Sequence, residues 1–339
     1  MAAQGEGGDV QRKQAVSMGL RIVVSLLMLA VLVANVPSFD WDVLVPEWTV
    51  GTILWLLMAV VLTLVGFVLS AVRWQKVLDA LGIHTDLRRL VRHYLAGQFV
   101  SNVLPTTIGG DVLRVSRLSK DTGESPGTFA SVVLERLTGW LVLPVITIVG
   151  FAVNPGLRHL GRATGLALAI AFGTLILLGG VLLAVASRRV GGRFGTNEGW
   201  RRFAGAIHFG LRQLRESPGA AVNVLLAGFA YQLALVLAAM AAAQALGLKP
   251  AGLTALLAFF PAVLIAQVMP VPTISGLGVR EGAFVLFLGP LGVKQDEAIA
   301  LGLLLYLLNL MVSLLGAPAF AAGSRRASDD SAVSAPLAA

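Results

Sequence analysis

The stretch PVPTISGLGVRE, residues 270–281, interrupts an apolar part of the sequence with prolines, glycines and a charged pair. A second interruption, NVLPTTIGGDVLR at residues 102–114, repeats the order of a proline, two glycines and then charge. Each break leaves backbone amides that hydrocarbon cannot satisfy, because proline lacks a donor and glycine exposes the backbone. Two broken segments at corresponding places in two halves are typical of transporters built from internal repeats, with the binding site at the breaks.

The composition around these breaks is that of an integral membrane protein. Of the 339 residues 56% are hydrophobic and 13% are charged. The net charge of +8 is spread over short loops, which favours topology signals and contacts with anionic headgroups over nucleic-acid binding. The chain has no cysteine, so disulfides and thiolate chemistry are excluded.

Apolar run length predicts an all-α polytopic fold. Leu90–Leu104 and Arg280–Leu288 would rise only roughly 22 and 14 Å as helices, against a bilayer core of about 30 Å, so each break is predicted to enter the membrane and return. We therefore expect six full transmembrane helices plus two re-entrant hairpins arranged as an inverted repeat, about eight membrane segments. An alternative with eight full crossings would place the two termini on the same sides of the membrane as this arrangement does. The six predicted spans are Met18–Val36, Gly51–Val72, Phe129–Val153, Gly165–Ala186, Ala221–Leu246 and Ala298–Phe320.

The distribution of basic residues predicts the orientation. Twenty of the 26 lysines and arginines fall on predicted cytoplasmic segments, among them the segment that begins at Arg73, and two, Arg136 and Arg280, fall within the membrane. Both termini are therefore predicted to be cytoplasmic, with a polar segment at 1–16, one transmembrane domain at 17–322 and a disordered tail at 323–339. The remaining four of the 26 basic residues fall on segments predicted to lie outside the cytoplasm: Arg158, Arg162, Lys249 and Lys294.

The loop at 187–219 holds seven arginines against two glutamates and is predicted to be cytoplasmic. Its apolar residues recur at helical spacing, which favours a helix lying on the inner leaflet over a helix that docks a partner. These residues are Trp200, Phe203, Ile207, Leu211 and Leu214.

The charged and small residues at the breaks are the candidate binding residues. A half-helix N-terminus offers free amides and partial positive charge, and a nearby arginine adds a bidentate partner, which together suit a phosphate or carboxylate. Two neighbouring charges in the third span, Glu135 and Arg136, need partners on other segments. The candidates at the breaks are Gly109, Gly110, Asp111 and Arg114 in the first and Ser275, Gly276, Gly278, Arg280 and Glu281 in the second, where Thr273 and Ser275 can cap the helix.

A purely structural alternative stays open for these charges. Asp111 could pair with Arg114, and Glu281 with Arg280, and so seal the breaks. Glu135 and Arg136 could form salt bridges between the third span and the first hairpin. Against this, a charge at membrane depth costs at least about 2.5 kcal/mol, which makes four of them at two matching places candidates for function.

No catalytic constellation is visible in the sequence. The four histidines are scattered without metal-ligand spacing, and neither a phosphate-binding loop nor a nucleophile elbow is present. We therefore expect a protein that is not an enzyme and that needs no cofactor or metal.

Four stretches resemble the flippase-like transmembrane region of lysylphosphatidylglycerol synthases and their stand-alone relatives. They are RWQKVLDALG from Arg73, GQFVSNVLPTTIGGDVLRVSRL from Gly97, SVVLERLTG from Ser131 and PVPTISGLGVREGAF from Pro270. The resemblance covers about residues 15–322, and the GGD-x-x-R and G-x-G-x-R-E motifs are specific in combination. It implies a bacterial inner-membrane protein that moves or binds a charged lipid: a phospholipid, a polyprenyl phosphate, a hopanoid-pathway lipid or a glycolipid.

The resemblance also implies that Asp111, Arg114, Glu135, Arg136, Arg280 and Glu281 occupy the family's charged motifs. The sequence departs from the family at Leu307, after Tyr306, where relatives often carry an arginine. No aminoacyl-transferase domain follows the last span, so synthase activity is not expected.

The leading hypothesis is a lipid flippase that holds a charged headgroup in a central polar cavity. The alternative is a membrane-embedded lipid or glycosyl transferase with Asp111 or Glu135 as base, or the non-catalytic membrane partner of such an enzyme. A third possibility is a scaffold that docks through the 200–214 helix. A homodimer, or association with a separate lipid-modifying enzyme, stays open.

Overall fold

The computed structural model describes residues 3–36, 40–44, 46–103, 109–186, 205, 208–213, 216–268, 273 and 276–322. Over these residues the regular structure is helical, as the apolar run lengths predict. The principal helices are α1 (Ala3–Ala34), α2 (Val50–Ala80), α3 (Leu87–Val103), α4 (Gly109–Thr122), α5 (Ser125–Val153), α6 (Arg162–Ala186), α7 (Pro218–Ala245), α8 (Leu253–Ala266), α9 (Val279–Leu288) and α10 (Gln295–Leu314).

Among the described residues, five helices are long and apolar enough to cross a membrane: α2, α5, α6, α7 and α10. They coincide with five of the six predicted spans, and the prediction of an all-α polytopic membrane protein is confirmed. The remaining predicted span, Met18–Val36, overlaps the C-terminal part of α1, where the apolar stretch is Ile22–Ala34. That stretch rises only about 20 Å, because Arg21 ends the apolar run on its N-terminal side.

Helix α2 extends further than the apolar run that predicted it. It continues to Ala80 instead of ending at Val72, with Arg73 and Trp74 among its buried residues. Arg73 is therefore a buried helical residue that follows the predicted span without a break in the helix. A charge at the end of an apolar run looks like a loop residue in sequence, but here the helix continues because the guanidinium has a buried partner.

Both interruptions separate pairs of short helices. The first break separates α3 from α4 and the second separates α8 from α9. These four helices rise between about 15 and 26 Å, less than the bilayer core of about 30 Å. Residues 104–108, 269–272 and 274–275, which join them, lie outside the described residues, and Ser275 is among these.

Close helix packing positions both hairpins against α5 and α10. Helix α8 packs along α5, where an added methyl at Gly150 would overlap the backbone of Ala258. Phe259 stacks on Phe287 with ring centroids 5.5 Å apart and meets Phe151 edge-on at 5.4 Å, which ties both arms of the second hairpin to α5. The other hairpin packs through α3 on α2 and α10 and through α4 on α5.

Within the predicted inner-leaflet helix at 200–214, residues 205 and 208–213 are described, and they are helical. The other residues of this segment lie outside the described residues. The predicted tail at 323–339 lies outside them entirely.

Candidate functional site

A cavity of about 400 Å³ lies where the two hairpins meet α2, α5, α7 and α10. This volume lies in the range of small-ligand sites. The cavity is lined at one side by charged residues and at other positions by amides, hydroxyls and aromatic rings. Its charged lining residues are Arg73, Asp111, Arg114, Glu135, Arg136 and Arg280.

Five of these charges form one continuous ladder, defined here as Arg73, Glu135, Arg114, Asp111 and Arg136. One Glu135 oxygen accepts from Arg73 Nη2 at 2.7 Å and the other from Arg114 Nη2 at 2.5 Å. Arg114 Nη1 lies 3.5 Å from Asp111, whose second oxygen accepts from Arg136 Nε. Arginine and carboxylate alternate along the ladder, so each carboxylate lies between two guanidinium groups.

Helix geometry explains why the ladder forms. Asp111 and Arg114 are three residues apart in α4 and therefore share one face of that helix. Glu135 and Arg136 are neighbours in α5 and point in different directions, so one reaches Arg114 and the other reaches Asp111. The ladder thus joins the first hairpin to α5, as the structural alternative predicts for Glu135 and Arg136, and joins α5 to α2 through Arg73.

Aromatic rings and a hydroxyl hold the arginines of the ladder in place. The Arg114 guanidinium lies 4.1 Å from the centre of the Trp74 ring and 4.7 Å from that of Tyr94, and Arg73 lies 4.8 Å from that of Tyr231. Such cation–π contacts are worth up to about 2 kcal/mol when desolvated. Ser70 donates to Glu135 at 3.0 Å, which completes the coordination of this buried carboxylate.

The ladder carries more positive charge than its carboxylates neutralise. Three arginines face two carboxylates, which leaves a net charge of +1. Several of their N–H groups also have no protein acceptor among the described residues: Nε and Nη1 of Arg73 and Nε of Arg114. Because a buried donor without an acceptor costs about 1–3 kcal/mol, the protein holds the excess positive charge of the ladder at a cost in stability.

The second break is more nearly neutral. Arg280 Nη2 donates to Glu281 at 2.6 Å, and the other Glu281 oxygen accepts from the Gly278 backbone N–H at 2.6 Å. Arg280 also lies 5.5 Å from the centre of the Tyr306 ring. Gly276 and Gly278 have φ angles of 74° and 87°, a left-handed conformation that glycine adopts without steric cost.

The structure brings most predicted residues of the described part around one cavity. Glu281 and Gly278 lie directly behind Arg280 and do not line the cavity, and Gly109 begins α4 next to Gly110. Ser275 lies outside the described residues. The predicted residues that line the cavity are Gly110, Asp111, Arg114, Glu135, Arg136, Gly276 and Arg280.

One expectation about the second break needs correction. Thr273 is predicted as a capping residue, but α9 begins after Gly278 and Glu281 takes the backbone N–H there, while Thr273 lines the cavity. The amides at this helix start are therefore not all free for a ligand. In the first break, α4 turns Arg114 toward Glu135, and only 6% of the arginine is exposed.

Several lining residues were not predicted as site residues. Arg73 was missed because its partner, Glu135, is 62 residues away in sequence. Gln232 and Asn309 are amides flanked by apolar residues within α7 and α10, and an amide inside an apolar span is the signal that could have found them. Tyr94 and Tyr231 carry no such signal, because aromatic residues are common in membrane helices.

Within the described part of the chain, no group of three or more histidine, cysteine, aspartate or glutamate residues could hold a metal ion.

These features define a polytopic all-α membrane protein with an arginine-lined cavity between two broken helical hairpins. The chain belongs to the family described as the lysylphosphatidylglycerol synthase TM region, whose match covers residues 18–316. No curated protein and no solved structure matches the chain.

Proposed function

We propose that this protein is a lipid flippase or transporter that binds a charged lipid headgroup in the central cavity and moves it between leaflets. The observation that carries the proposal is the excess of arginine over carboxylate in the lining of a cavity within a membrane protein. Charged side chains at membrane depth are costly and typically mark the path or site of a polar substrate.

The proposed binding mode places the headgroup against the arginine ladder while the acyl chains stay in lipid. Arg114 and Arg136, whose side chain is 48% exposed, present guanidinium groups to the cavity on the α4 and α5 side, and Arg280 contributes from the second break. A guanidinium suits phosphate because its planar donors bind two oxygens at once.

Transport requires that the cavity open to each side in turn. We propose that the α3/α4 and α8/α9 hairpins enter from opposite faces as inverted repeats, so that rocking of one half against the other gives alternating access. In this arrangement the protein lies in the bacterial inner membrane with both termini in the cytoplasm, as the distribution of basic residues predicts.

The pairing of the carboxylates favours transport over group transfer. A general base needs a carboxylate oxygen available to accept a proton, but both oxygens of Glu135 and of Asp111 face guanidinium groups. A carboxylate whose two oxygens both contact guanidinium groups is poorly placed to take a proton from a substrate. The substrate is therefore expected to leave chemically unchanged.

The test is reconstitution in vesicles that carry headgroup-labelled anionic and cationic phospholipids at trace level. A membrane-impermeant quencher then reports how much label crosses from the inner leaflet in protein-containing and empty vesicles. Protein-dependent translocation of at least one charged lipid is expected. Equal rates in both vesicle types for every lipid would exclude the flippase proposal, and a chemically altered lipid in the extract would favour a transferase.

A further inference from the structure

The chain continues past α10 and contacts the first hairpin again. Helix α10 ends at Leu314, and after a turn residues 317–322 are helical once more. An added methyl at Gly316 would overlap the Leu95 carbonyl of α3, so the two backbones lie in close contact there. Residues 316–322 are called the C-terminal segment below.

Arg117 of α4 connects the C-terminal segment to the other arm of the hairpin. Its Nη1 donates to the Ala319 carbonyl and its Nη2 to the Phe320 carbonyl, both at 2.8 Å. The guanidinium also lies 5.7 Å from the centre of the Phe320 ring, and this ring lies 5.8 Å from that of Phe99 in α3. The C-terminal segment therefore contacts α3 and α4 at the same time.

The helical spacing of α4 alone would favour a different partner for Arg117. Asp121 is four residues further along and could form an ion pair within the helix. It lies instead 2.8 Å from His93 Nε2 and 3.8 Å from Arg89 Nη1, both in α3. The planar donors of Arg117 bind two carbonyl oxygens at once, so its hydrogen bonds join α4 to the C-terminal segment.

The arms that carry these contacts also line the cavity. Gln98 in α3 and Asp111 and Arg114 in α4 are lining residues. A displacement of the hairpin from α10 would therefore change the cavity, and it would also break the contacts of the C-terminal segment with both arms.

We propose that the C-terminal segment is a latch that restrains the first hairpin, and that release of Arg117 from its two carbonyls lets both arms move away from α10 and widens the cavity. This inference goes beyond the proposed function, because it concerns the motion of the hairpin and requires no lipid transport. Its tests use the full-length protein in detergent and stay informative whether or not the protein moves lipid.

A reporter cysteine measures how often the hairpin moves, since the chain has no other cysteine. Val100 of α3 is buried, so Val100→Cys reacts with a water-soluble maleimide only when the hairpin is displaced. Adding Arg117→Gln is expected to raise the reaction rate about tenfold, which corresponds to roughly 1.4 kcal/mol of lost restraint. Arg88→Gln is the matched control, because it removes an exposed arginine from the first turn of α3. The control is expected to keep the original rate, and an unchanged rate with Arg117→Gln would overturn the latch.

Hydrogen exchange separates a latch from a general loss of stability. In Arg117→Gln the amides of α3 and α4 are expected to exchange about tenfold faster, whereas those of α6, which packs on α5, α8 and α9, keep the wild-type rate. Equally faster exchange in α6 would mean that Arg117 stabilises the whole bundle, and the latch would be rejected.

A crosslinked protein decides the inference even if Arg117→Gln fails to fold. Phe99→Cys and Phe320→Cys are joined by a short thiol crosslinker that a reductant cleaves, and exchange in α4 is compared before and after cleavage. Both measurements use the same polypeptide, so differences in folding do not enter. Slower exchange in the intact crosslinked protein is expected. Equal exchange, or failure of the two cysteines to crosslink, would overturn the latch.

Discussion

Glu135 is the residue on which the site is built. It is 2% exposed, lies between Arg73 and Arg114, and accepts from Ser70 as well. The carboxylate therefore determines where both guanidinium groups lie. Because each guanidinium also contacts an aromatic ring, one side chain of α5 organises the facing surfaces of α2, α3, α4 and α7.

Glu135→Gln is expected to destabilise the protein strongly. Arg73 would lose its carboxylate, and Arg114 would keep only Asp111 at 3.5 Å. Breaking a buried ion pair from one side costs about 3–5 kcal/mol, because the remaining charge stays buried without a partner. The measurement is the midpoint of thermal unfolding in detergent.

The control for Glu135→Gln is Glu216→Gln, which removes the exposed partner of Arg212. An exposed ion pair is worth about 0–1 kcal/mol, so the midpoint should barely change. Similar midpoints for the two variants would contradict the central position given to Glu135.

Arg136→Gln is expected to impair transport more than stability. The Arg136 side chain is 48% exposed and forms the open end of the ladder, so its loss removes the net positive charge, while Asp111, whose side chain is 17% exposed, keeps Arg114 at 3.5 Å. Hydrogen bonds to charged groups are worth about 1.5–3 kcal/mol, which predicts a fall of roughly tenfold to a hundredfold in anionic-lipid translocation. Arg212→Gln, at an exposed position, should translocate as the wild type does, and an unchanged rate in Arg136→Gln would be evidence against headgroup contact.

The sequence predicts the ladder only in part. The GGD-x-x-R motif and the neighbouring Glu135 and Arg136 identify four of its five charges, because charges in apolar segments are conspicuous. Arg73 could not be recognised, since it follows an apolar run directly and its buried partner is on another helix. The pairing of the charges depends on the distances between packed helices. Sequence spacing within one helix does not give these distances.

At the scale of elements, the first hairpin depends on close approach of its two arms. Gly97 in α3 faces Gly110 in α4, and a methyl at Gly110 would overlap the Gly97 carbonyl and the Ser101 hydroxyl. This approach places α4 so that Asp111 and Arg114 reach α5. The two glycines at 109–110 therefore allow close packing of α3 on α4 in addition to interrupting the apolar sequence.

Gly110→Ala is expected to separate α3 from α4 and to destabilise the hairpin by about 1–3 kcal/mol, the usual cost of overpacking. Gly173→Ala in α6 is the matched control, since an added methyl there meets no atom within 4 Å. Unfolding midpoints of the two variants in the same detergent check the prediction. A midpoint for Gly110→Ala as high as that of Gly173→Ala would show that the arms do not pack this closely.

Apolar run length predicts which membrane helices form, but it does not predict where each helix ends. Run length predicts α5, α6 and α7 to within a few residues, because about 20 apolar residues are needed to cross a bilayer. It misses the last turns of α2, where buried Arg73 and Trp74 continue the helix. Helix ends depend on the partners of polar residues, and these partners come from distant segments.

At the scale of the whole molecule, orientation is open to direct measurement because the chain lacks cysteine. Lys249 and Ser217, each replaced singly by cysteine, flank opposite ends of α7. The positive-inside rule predicts that Lys249→Cys reacts with an impermeant maleimide in intact cells, whereas Ser217→Cys reacts only after permeabilisation. The reverse pattern would invert the proposed orientation.

The central claim is that a lipid headgroup occupies the cavity at the two breaks, and photo-crosslinking tests it most directly. The probe is phosphatidylglycerol with a diazirine on its headgroup, and adducts are mapped by mass spectrometry, with an acyl-chain diazirine as control. Headgroup adducts are expected on cavity residues such as Trp140 and Tyr231, and acyl-chain adducts on lipid-facing residues such as Leu57. Headgroup adducts confined to the outer surface of α2 and absent from the cavity would contradict the claim.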